Sequence, residues 1–277
     1  MKIALAQMCS GIVPEENASQ LRSLIADAAA GGAEIIFTPE MTGLLDRDRS
    51  RAAHAIRSES DDIVLSAART EARKHGIWVQ LGSLAIKLSP RPDQKWLNRS
   101  YLINPDGDIV ARYDKIHLFD VNLGANETTR ESAAYAGGDQ AVIAPVSKAT
   151  LGLSICYDLR FSRLYEALTN AGADILSVPA AFTVPTGKAH WEILLRARAI
   201  EAGAYVVAAA QCGEHEDGRS TYGHSMVVDP WGQILLDMGD GNGLGFCDLD
   251  LTKVKEVRSR VPAVANRKNF REPVSRS

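Results

Sequence analysis

The sequence predicts an α/β fold built as a four-layer α-β-β-α sandwich whose two halves repeat each other. Two recurring patterns support this prediction. In the first, an alanine- and charge-rich helical stretch leads through glycine into a β-rich run, and this occurs four times. In the second, a strand, an Asx-Pro-x-Gly turn and a second strand follow each other, and this occurs twice. Each half therefore reads β-α-β-α-β-β, which implies a sheet with helices on one face. Two such halves can bury their bare sheet faces against each other.

The helix-glycine-strand units have the features of helix ends that lead into buried strands. Glycine just past a helix end readily takes the left-handed conformation that closes the last turn. The apolar run after each glycine has the length of a buried strand. In the first helix, Leu21, Leu24, Ile25 and Ala28 follow helical spacing and form one apolar face. The four units lie at 28–37, 73–79, 170–176 and 201–207.

The two hairpins are centred on Asn104-Pro105 and Asp229-Pro230, and each turn is flanked by β-rich runs. No Pro-, Gly- or Ser-rich linker separates the halves, so we expect one domain over residues 1–277. Residues 120–140 are expected to form a long functional loop. Residues 257–277 are expected to be a charged C-terminal extension.

Composition excludes several partners. The chain has 277 residues, of which 45% are hydrophobic and 23% charged, with a net charge of −3. This balance suits a globular protein and indicates neither nucleic acid nor an anionic membrane as a partner. The N-terminus turns polar too early for a signal peptide, and the longest apolar run, 204–210, is too short to span a membrane. The four cysteines lack metal-ligand spacing, so we expect free thiols in the cytoplasm and no metal site.

Cys156 is the candidate nucleophile, because an apolar run with strand character ends there and a helical pattern follows. A thiol on a strand-to-helix turn lies near partial positive charge that favours the thiolate. The backbone amides of the same turn, that of Tyr157 first, can stabilise an oxyanion. The alternative is that Cys156 is a small buried hydrophobe.

Two further reactive groups fall at predicted strand ends, where ligands bind in open α/β sheets. Glu40 follows the second strand and Lys115 ends the return strand of the first hairpin. A carboxylate can accept the thiol proton and later protonate a leaving nitrogen. An ammonium can stabilise an oxyanion, while the thiolate forms an acyl intermediate. The alternatives are a solvated turn at Glu40 and a surface lysine beside Asp114.

Three segments, 37–40, 113–119 and 154–161, resemble the catalytic segments of the nitrilase superfamily of carbon–nitrogen hydrolases. The resemblance runs in order along essentially the whole chain. It implies an α-β-β-α sandwich and a catalytic triad of Glu40, Lys115 and Cys156. It also implies that Glu131 is the second glutamate that many members carry. Members need no metal or organic cofactor, and they generally form homodimers or larger homo-oligomers.

Segments 182–192, 208–213 and 222–232 resemble the deaminated glutathione amidase and omega-amidase branch of this superfamily. The resemblance implies hydrolysis of a small, carboxylate-bearing amide through a cysteine thioester, with N-carbamoyl amino acids as a further substrate class. A catalytically silent binding module is the non-enzymatic alternative. The chain departs from the branch at Arg163, which reverses a charge, and at Leu123–Glu127. These departures affect the expected substrate rather than the expected reaction.

Tyr157, Arg160 and Phe182 are the expected substrate-binding residues. Tyr157 would act through its backbone N–H, and Phe182 follows a predicted strand end and would line the pocket. In related amidohydrolases an arginine in the region of Arg160 binds the substrate carboxylate. For Arg160 the alternatives are a contact with a substrate carboxylate and an ion pair with Asp158 or Glu166.

Other polar and sulfur-containing residues are expected to be structural. His117 and His190 should hydrogen-bond the loops that carry Lys115 and Phe182. Arg198 should form a buried ion pair with Glu201 or Glu192. The remaining cysteines, Cys9, Cys212 and Cys247, should serve in packing.

Overall fold

The computed structural model describes residues 1–88, 95–122, 128–271 and 273–275. The helices are α1 (Pro14–Ala30), α2 (Arg49–Ala55), α3 (Ile63–His75), α4 (Ser162–Asn170), α5 (Val184–Ala202) and α6 (Thr252–Arg260), with 3₁₀ turns at Glu131–Ala133 and Cys156–Arg160. The strands of the first half are β1 (Lys2–Gln7), β2 (Ile35–Phe37), β3 (Arg57–Ser58), β4 (Trp78–Lys87), β5 (Trp96–Ile103), β6 (Ile109–Asp114), β7 (Asp120–Asn122), β8 (Thr128–Arg130) and β9 (Tyr135–Ala136). Those of the second half are β10 (Ile143–Val146), β11 (Ala149–Leu153), β12 (Ile175–Ser177), β13 (Tyr205–Ala208), β14 (Cys212–Glu214), β15 (Ser220–Tyr222), β16 (Met226–Val228), β17 (Ile234–Asp237) and β18 (Gly243–Asp248).

Two main sheets repeat one topology. The first has the order β18-β1-β2-β4-β5-β6, and the second has the order β10-β11-β12-β13-β16-β17. In each, three parallel strands lead into an antiparallel hairpin, and an antiparallel strand closes the opposite edge. The first sheet takes that edge strand from the C-terminal end of the fold, as β18. The predicted duplication is thus present in the strand order.

The core follows the two-residue period of the strands. On β1, Ile3 and Leu5 belong to a cluster shared with Leu151 and Leu153 of the second sheet. The intervening Ala4 and Ala6 face the other way, into a cluster with residues of α1 and α3. The second sheet is covered by α4 and α5, whose apolar residues join the first cluster. The result is the predicted helix, sheet, sheet, helix order.

The local signals that predicted the elements behave as expected. The four glycines after helices have positive φ: Gly32 at 79°, Gly76 at 63°, Gly172 at 100° and Gly203 at 53°. Both predicted hairpins form, as β5–β6 and β16–β17.

Two predicted segments contain more regular structure than expected. Helix α6 runs to Arg260, so the irregular C-terminal segment begins after it rather than at residue 257. Segment 120–140 contains the β7–β8 pair, a 3₁₀ turn and β9. Leu123–Glu127, where the chain departs from the branch pattern, lie outside the described residues. Within the described ranges, no helix is both long and apolar enough to cross a membrane.

Candidate active site

Glu40 lies three residues beyond the end of β2, on a loop held tightly against β4. At the irregularity in β4, Gly82 donates its backbone N–H to the Thr38 hydroxyl at 2.9 Å. A Cβ atom at Gly82 would collide with the carbonyl oxygens of Thr38 and Pro39. Ser83 accepts from the Met41 backbone N–H at 3.0 Å. The absence of a side chain at Gly82 therefore allows the loop to approach and aim Glu40 inward.

The Glu40 carboxylate is buried, with a relative exposure of 5%, and it receives donors from both halves of the fold. Its Oε2 accepts from the Ala181 backbone N–H at 3.1 Å, on the loop after β12. Its Oε1 accepts from Lys115 Nζ at 2.8 Å, and the Cys156 thiol also donates to the carboxylate. Burial by itself raises the pKa of Glu40, but the Lys115 charge and these hydrogen bonds bring the pKa below its ordinary value. Glu40 is therefore an ionised carboxylate beside the thiol, and the solvated-turn alternative is wrong.

Lys115 is the residue after β6 and is buried, with 2% exposure, so it is not a surface lysine. Its ammonium contacts Glu40 at 2.8 Å and Glu131 Oε2 at 2.9 Å. Burial opposes its charge, yet the two carboxylates raise its pKa well above the ordinary value. Glu131, on the 3₁₀ turn after β8, also accepts from the Phe119 backbone N–H at 2.6 Å. Segment 120–140 thus supplies a carboxylate to the site.

Asn98 is a member of the site that the sequence reasoning missed. Its Nδ2 lies 2.9 Å from Glu40 Oε1 and 3.1 Å from Glu131 Oε1. Its backbone carbonyl accepts from the Lys115 N–H at 2.9 Å, next to the last rung of the β5–β6 pairing. The available signal was a polar residue in a buried strand directly opposite Lys115 in the hairpin.

Cys156 follows β11 and opens a 3₁₀ turn, as predicted for a strand-to-helix connection. Its φ of 50° lies in the left-handed region, which is strained for a residue with a side chain. The Cys156 N–H donates to Pro179 O at 2.8 Å, which ties the turn to the loop after β12. Tyr157 is the second residue of this turn, where backbone N–H groups have no acceptor inside the helix. Its N–H is therefore suited to donate a hydrogen bond to an oxyanion.

The expectation that the turn favours a thiolate at Cys156 is wrong for the resting site. Burial raises the pKa of Cys156 well above its ordinary value, and the negative charge of Glu40 raises it further, while Lys115 offsets part of this rise. Two carboxylates face one ammonium, so another negative charge is unfavourable. The resting group is a thiol hydrogen-bonded to Glu40.

Asp158 joins the Cys156 turn to the Lys115 loop, and this role was also missed. Its fully buried Oδ2 accepts from the Ile155 N–H at 2.9 Å and from the Tyr113 hydroxyl at 2.7 Å. Its Oδ1 accepts from the His117 N–H at 3.0 Å and contacts His117 Nδ1 at 2.7 Å. The His117 ring also stacks on Phe161, with centroids 3.6 Å apart. His117 is structural, as predicted.

Arg160 lies on the far side of the turn, above two aromatic rings. Its guanidinium carbon is 5.9 Å from the Tyr157 ring centroid and 5.6 Å from that of Phe182. Both guanidinium ends approach His190 Nδ1 at 3.3 Å, so His190 contacts Arg160. Among the described residues Arg160 forms no ion pair, and the alternative of a bridge to Asp158 or Glu166 is wrong. The cation therefore has no carboxylate partner from the described residues.

Other candidates lie outside this cluster. Arg198 pairs with Glu201 at 2.8 Å and donates to Leu159 O, so it is structural as predicted. Cys9, Cys212 and Cys247 are free and are buried or half-buried. The structure thus brings together Glu40, Lys115, Cys156 and Glu131, and places the Arg160 guanidinium over the Tyr157 and Phe182 rings.

The duplicated sandwich with this strand-end cluster is the arrangement expected of the nitrilase superfamily. A family profile described as carbon-nitrogen hydrolase matches residues 2–259. The chain belongs to this family, which confirms the resemblance, the predicted fold class and the class of enzyme.

Curated relatives agree. Deaminated glutathione amidase of Yersinia enterocolitica is 39% identical over 263 residues, which cover 95% of this chain and 91% of the relative. Deaminated glutathione amidase of Homo sapiens is 38% identical over 270 residues, which cover 96% of this chain and 82% of the relative.

Solved structures agree as well. The C. elegans NitFhit protein superposes with a TM-score of 0.87 at 37% identity; the match covers 96% of this chain and spans 65% of that longer chain. A glutamate-to-glutamine variant of the amidase from Nesterenkonia sp. AN1, with acrylamide added at its active-site cysteine, superposes with a TM-score of 0.78 at 28% identity, covering 95% of this chain and 98% of that one.

Proposed function

We propose that this protein is an amidase in which Cys156 is the nucleophile and Glu40 the general base and acid. The observation that carries the proposal is that the Glu40 carboxylate contacts both the Cys156 thiol and the Lys115 ammonium. A base within hydrogen-bonding distance of a nucleophile, itself held by a third group, is the arrangement that covalent catalysis requires.

In the acylation step, Glu40 takes the thiol proton as the sulfur attacks the amide carbon. The developing oxyanion is held by the Lys115 ammonium and the Tyr157 backbone N–H. Glu40 then passes the proton to the leaving nitrogen, the C–N bond breaks, and a thioester on Cys156 remains. The raised thiol pKa suits this order, because the thiol gives up its proton only when attack begins.

In the deacylation step, Glu40 takes a proton from water while the hydroxide adds to the thioester carbonyl. The C–S bond breaks, the proton returns to sulfur, and the acid leaves. Glu131 holds Lys115 in position and balances its charge throughout. No step calls for a metal or an organic cofactor.

The favoured substrate is deaminated glutathione, which would be split into 2-oxoglutarate and Cys-Gly. The names of the relatives support this choice. Arg160 supports it too, since a guanidinium without a carboxylate partner among the described residues can bind a substrate carboxylate. Tyr157 and Phe182 would pack against the acyl chain beneath it. The departures at Arg163 and Leu123–Glu127 bear on this choice.

Side-by-side steady-state kinetics on three amides test the substrate. We expect kcat/KM to be highest for deaminated glutathione, then for 2-oxoglutaramate, then for an N-carbamoyl amino acid. A highest value on the carbamoyl compound would reject this order.

Intact-mass spectrometry tests the reaction against a catalytically silent binding module. An acyl adduct should accumulate on Cys156 with substrate or an electrophilic analogue and be absent in Cys156→Ser. The control variant Cys247→Ser, on β18, should still form it. Absence of any adduct across a broad amide panel would favour the binding module.

Three further features belong to the proposal. We place the enzyme in the cytoplasm, which its four free cysteines support. We treat residues 1–277 as one domain. We also expect a homodimer or larger homo-oligomer, which light scattering after size exclusion would measure.

A further inference from the structure

Asn98 lies opposite Lys115 in the β5–β6 hairpin, and like Lys115 its side chain reaches both glutamates of the site. Its backbone pairs with Lys115, and residues directly opposite in an antiparallel pair carry their side chains on the same face. The next rung, Arg99 with Asp114, forms an ion pair of its own at 2.7 Å. The strand register therefore sets an amide beside the ammonium.

The contacts form a closed ring of two acceptors and two donors. Glu40 Oε1 accepts from Lys115 Nζ at 2.8 Å and from Asn98 Nδ2 at 2.9 Å. Glu131 Oε1 accepts from the same two atoms at 3.2 Å and 3.1 Å. One donor is charged and the other is neutral. The opposite amide orientation would set Oδ1 against two carboxylates, so the network itself assigns Nδ2 to this side.

The neutral donor matters because of the charge count. Glu40 and Glu131 carry two negative charges against one positive charge on Lys115. Cys156 and Tyr135 of β9 also face this group. The pKa of Tyr135 is raised, mainly by burial and further by the negative charges of the two glutamates. A cation at position 98 would cancel the charge that makes Glu40 a base, and an anion would add repulsion. An amide donates hydrogen bonds and leaves the charge unchanged.

We propose that Asn98 is a positioning residue of the catalytic site, which holds the Glu40 and Glu131 carboxylates side by side around Lys115 so that Glu40 remains the proton acceptor of Cys156. The proposal rests on the proposed function for its catalytic meaning. The hydrogen bond from Asn98 is one of the causes that keep the pKa of Glu40 low. Asn98 itself is buried, with 1% exposure, and its Oδ1 has no hydrogen-bond partner among the described residues.

Asn98→Leu removes both N–H donors and keeps the branched shape of the side chain, whereas Asn98→Ala removes them with less bulk. For both we expect kcat/KM at neutral pH to fall about 10- to 100-fold, the value of a hydrogen bond to a charged group. The acid limb of the kcat/KM profile should move to higher pH, because Glu40 then takes up its proton more readily. Asn98→Ser keeps one donor, so its kcat/KM and the pH of its acid limb should lie between those of these variants and those of wild type.

A second measurement needs no substrate. A carboxyl group with a lowered pKa stabilises the fold above its unfolded pKa and loses that stabilisation as pH falls through the folded value. The difference in unfolding free energy between wild type and Asn98→Ala should therefore narrow as pH falls from 7 toward the acid range. Gln80→Met is the matched control, since Gln80 is a buried amide on β4 that donates to Ser100 instead. The difference in unfolding free energy between wild type and Gln80→Met should stay constant with pH.

The outcomes separate the two proposals. One outcome is a stability difference between wild type and Asn98→Ala that depends on pH in a protein that hydrolyses no amide. That result would support the role of Asn98 in setting the charge of Glu40 and would reject the proposed function. An unmoved acid limb in active Asn98→Ala and Asn98→Leu overturns the positioning role, as does a stability difference that is constant with pH. If Asn98→Leu fails to fold, the comparison of Asn98→Ala with Asn98→Ser decides between these outcomes.

Discussion

Tyr113 and Asp158 are joined by a buried hydrogen bond of 2.7 Å, and each stands two residues from a member of the candidate triad. Tyr113 precedes Lys115, and Asp158 follows Cys156. The bond therefore links the end of β6, in the first sheet, to the turn after β11, in the second. The bond thus fastens the end of the strand that precedes Lys115 to the turn that carries Cys156.

Asp158→Asn should weaken both the fold and the reaction. Both oxygens of Asp158 accept hydrogen bonds, and the variant would replace one of them with an NH2 group. The N–H or O–H groups that donate to that oxygen would lose their acceptor while remaining buried. We expect a loss on the order of 3 kcal/mol in unfolding free energy, measured by urea denaturation. We also expect kcat to fall more than KM rises. Tyr113→Phe, which removes one bond, should cost about 1 kcal/mol. Equal losses of unfolding free energy in Asp158→Asn and Tyr113→Phe would contradict this account.

Gly82→Ala should displace the Glu40 loop without touching the site. The added Cβ would collide with the carbonyl oxygens of Thr38 and Pro39, so the loop must shift outward. A shift of about 1 Å at a reacting group typically costs on the order of 100-fold in rate. Gly241→Ala is the control, because its Cβ would meet open space. Steady-state rates for the pair measure the effect, and wild-type activity in Gly82→Ala would refute it.

Glu40→Gln should separate the two roles of the carboxylate. Loss of the general base should lower hydrolysis by about 100- to 10,000-fold. The negative charge of Glu40 raises the pKa of Cys156, so its removal should lower that pKa. The rate of alkylation by iodoacetamide, followed against pH, should therefore reach its alkaline plateau at a lower pH than in wild type. A plateau unchanged or shifted upward would mean that Glu40 is not coupled to the thiol.

Arg160→Gln tests the carboxylate subsite. For a carboxylate-bearing amide we expect KM to rise about 10- to 100-fold, since a hydrogen-bonded charge is lost. The KM for a neutral amide of the same length should change little. Arg163→Gln, at an exposed position on α4, is the comparison. A larger effect at Arg163 would move the subsite there.

The sequence by itself determined the β-α-β-α-β-β order of the main elements in each half, since each signal is local. Glycines after amphipathic helices, the two Asx-Pro-x-Gly turns and the two-residue period of the strands act over a few residues. Because carboxyl ends of parallel strands share an edge of a sheet, the same signals placed Glu40 and Lys115 at one edge of the first sheet. The repeat of the halves placed Cys156 at the corresponding edge of the second sheet. The family motifs then added Glu131. The compartment and the assembly of the chain stay predictions.

Only the tertiary structure decided how these groups are held and charged. Ala181 donates to Glu40 from 141 residues away, across the interface between the sheets. Asn98 enters the site through strand register, and Asp158 through the packing of two loops. The charge state of Cys156 follows the same logic: the local helix start favours a thiolate, but burial beside Glu40 outweighs it. A pKa depends on every charge within several ångströms, and those neighbours are set by packing rather than by sequence spacing.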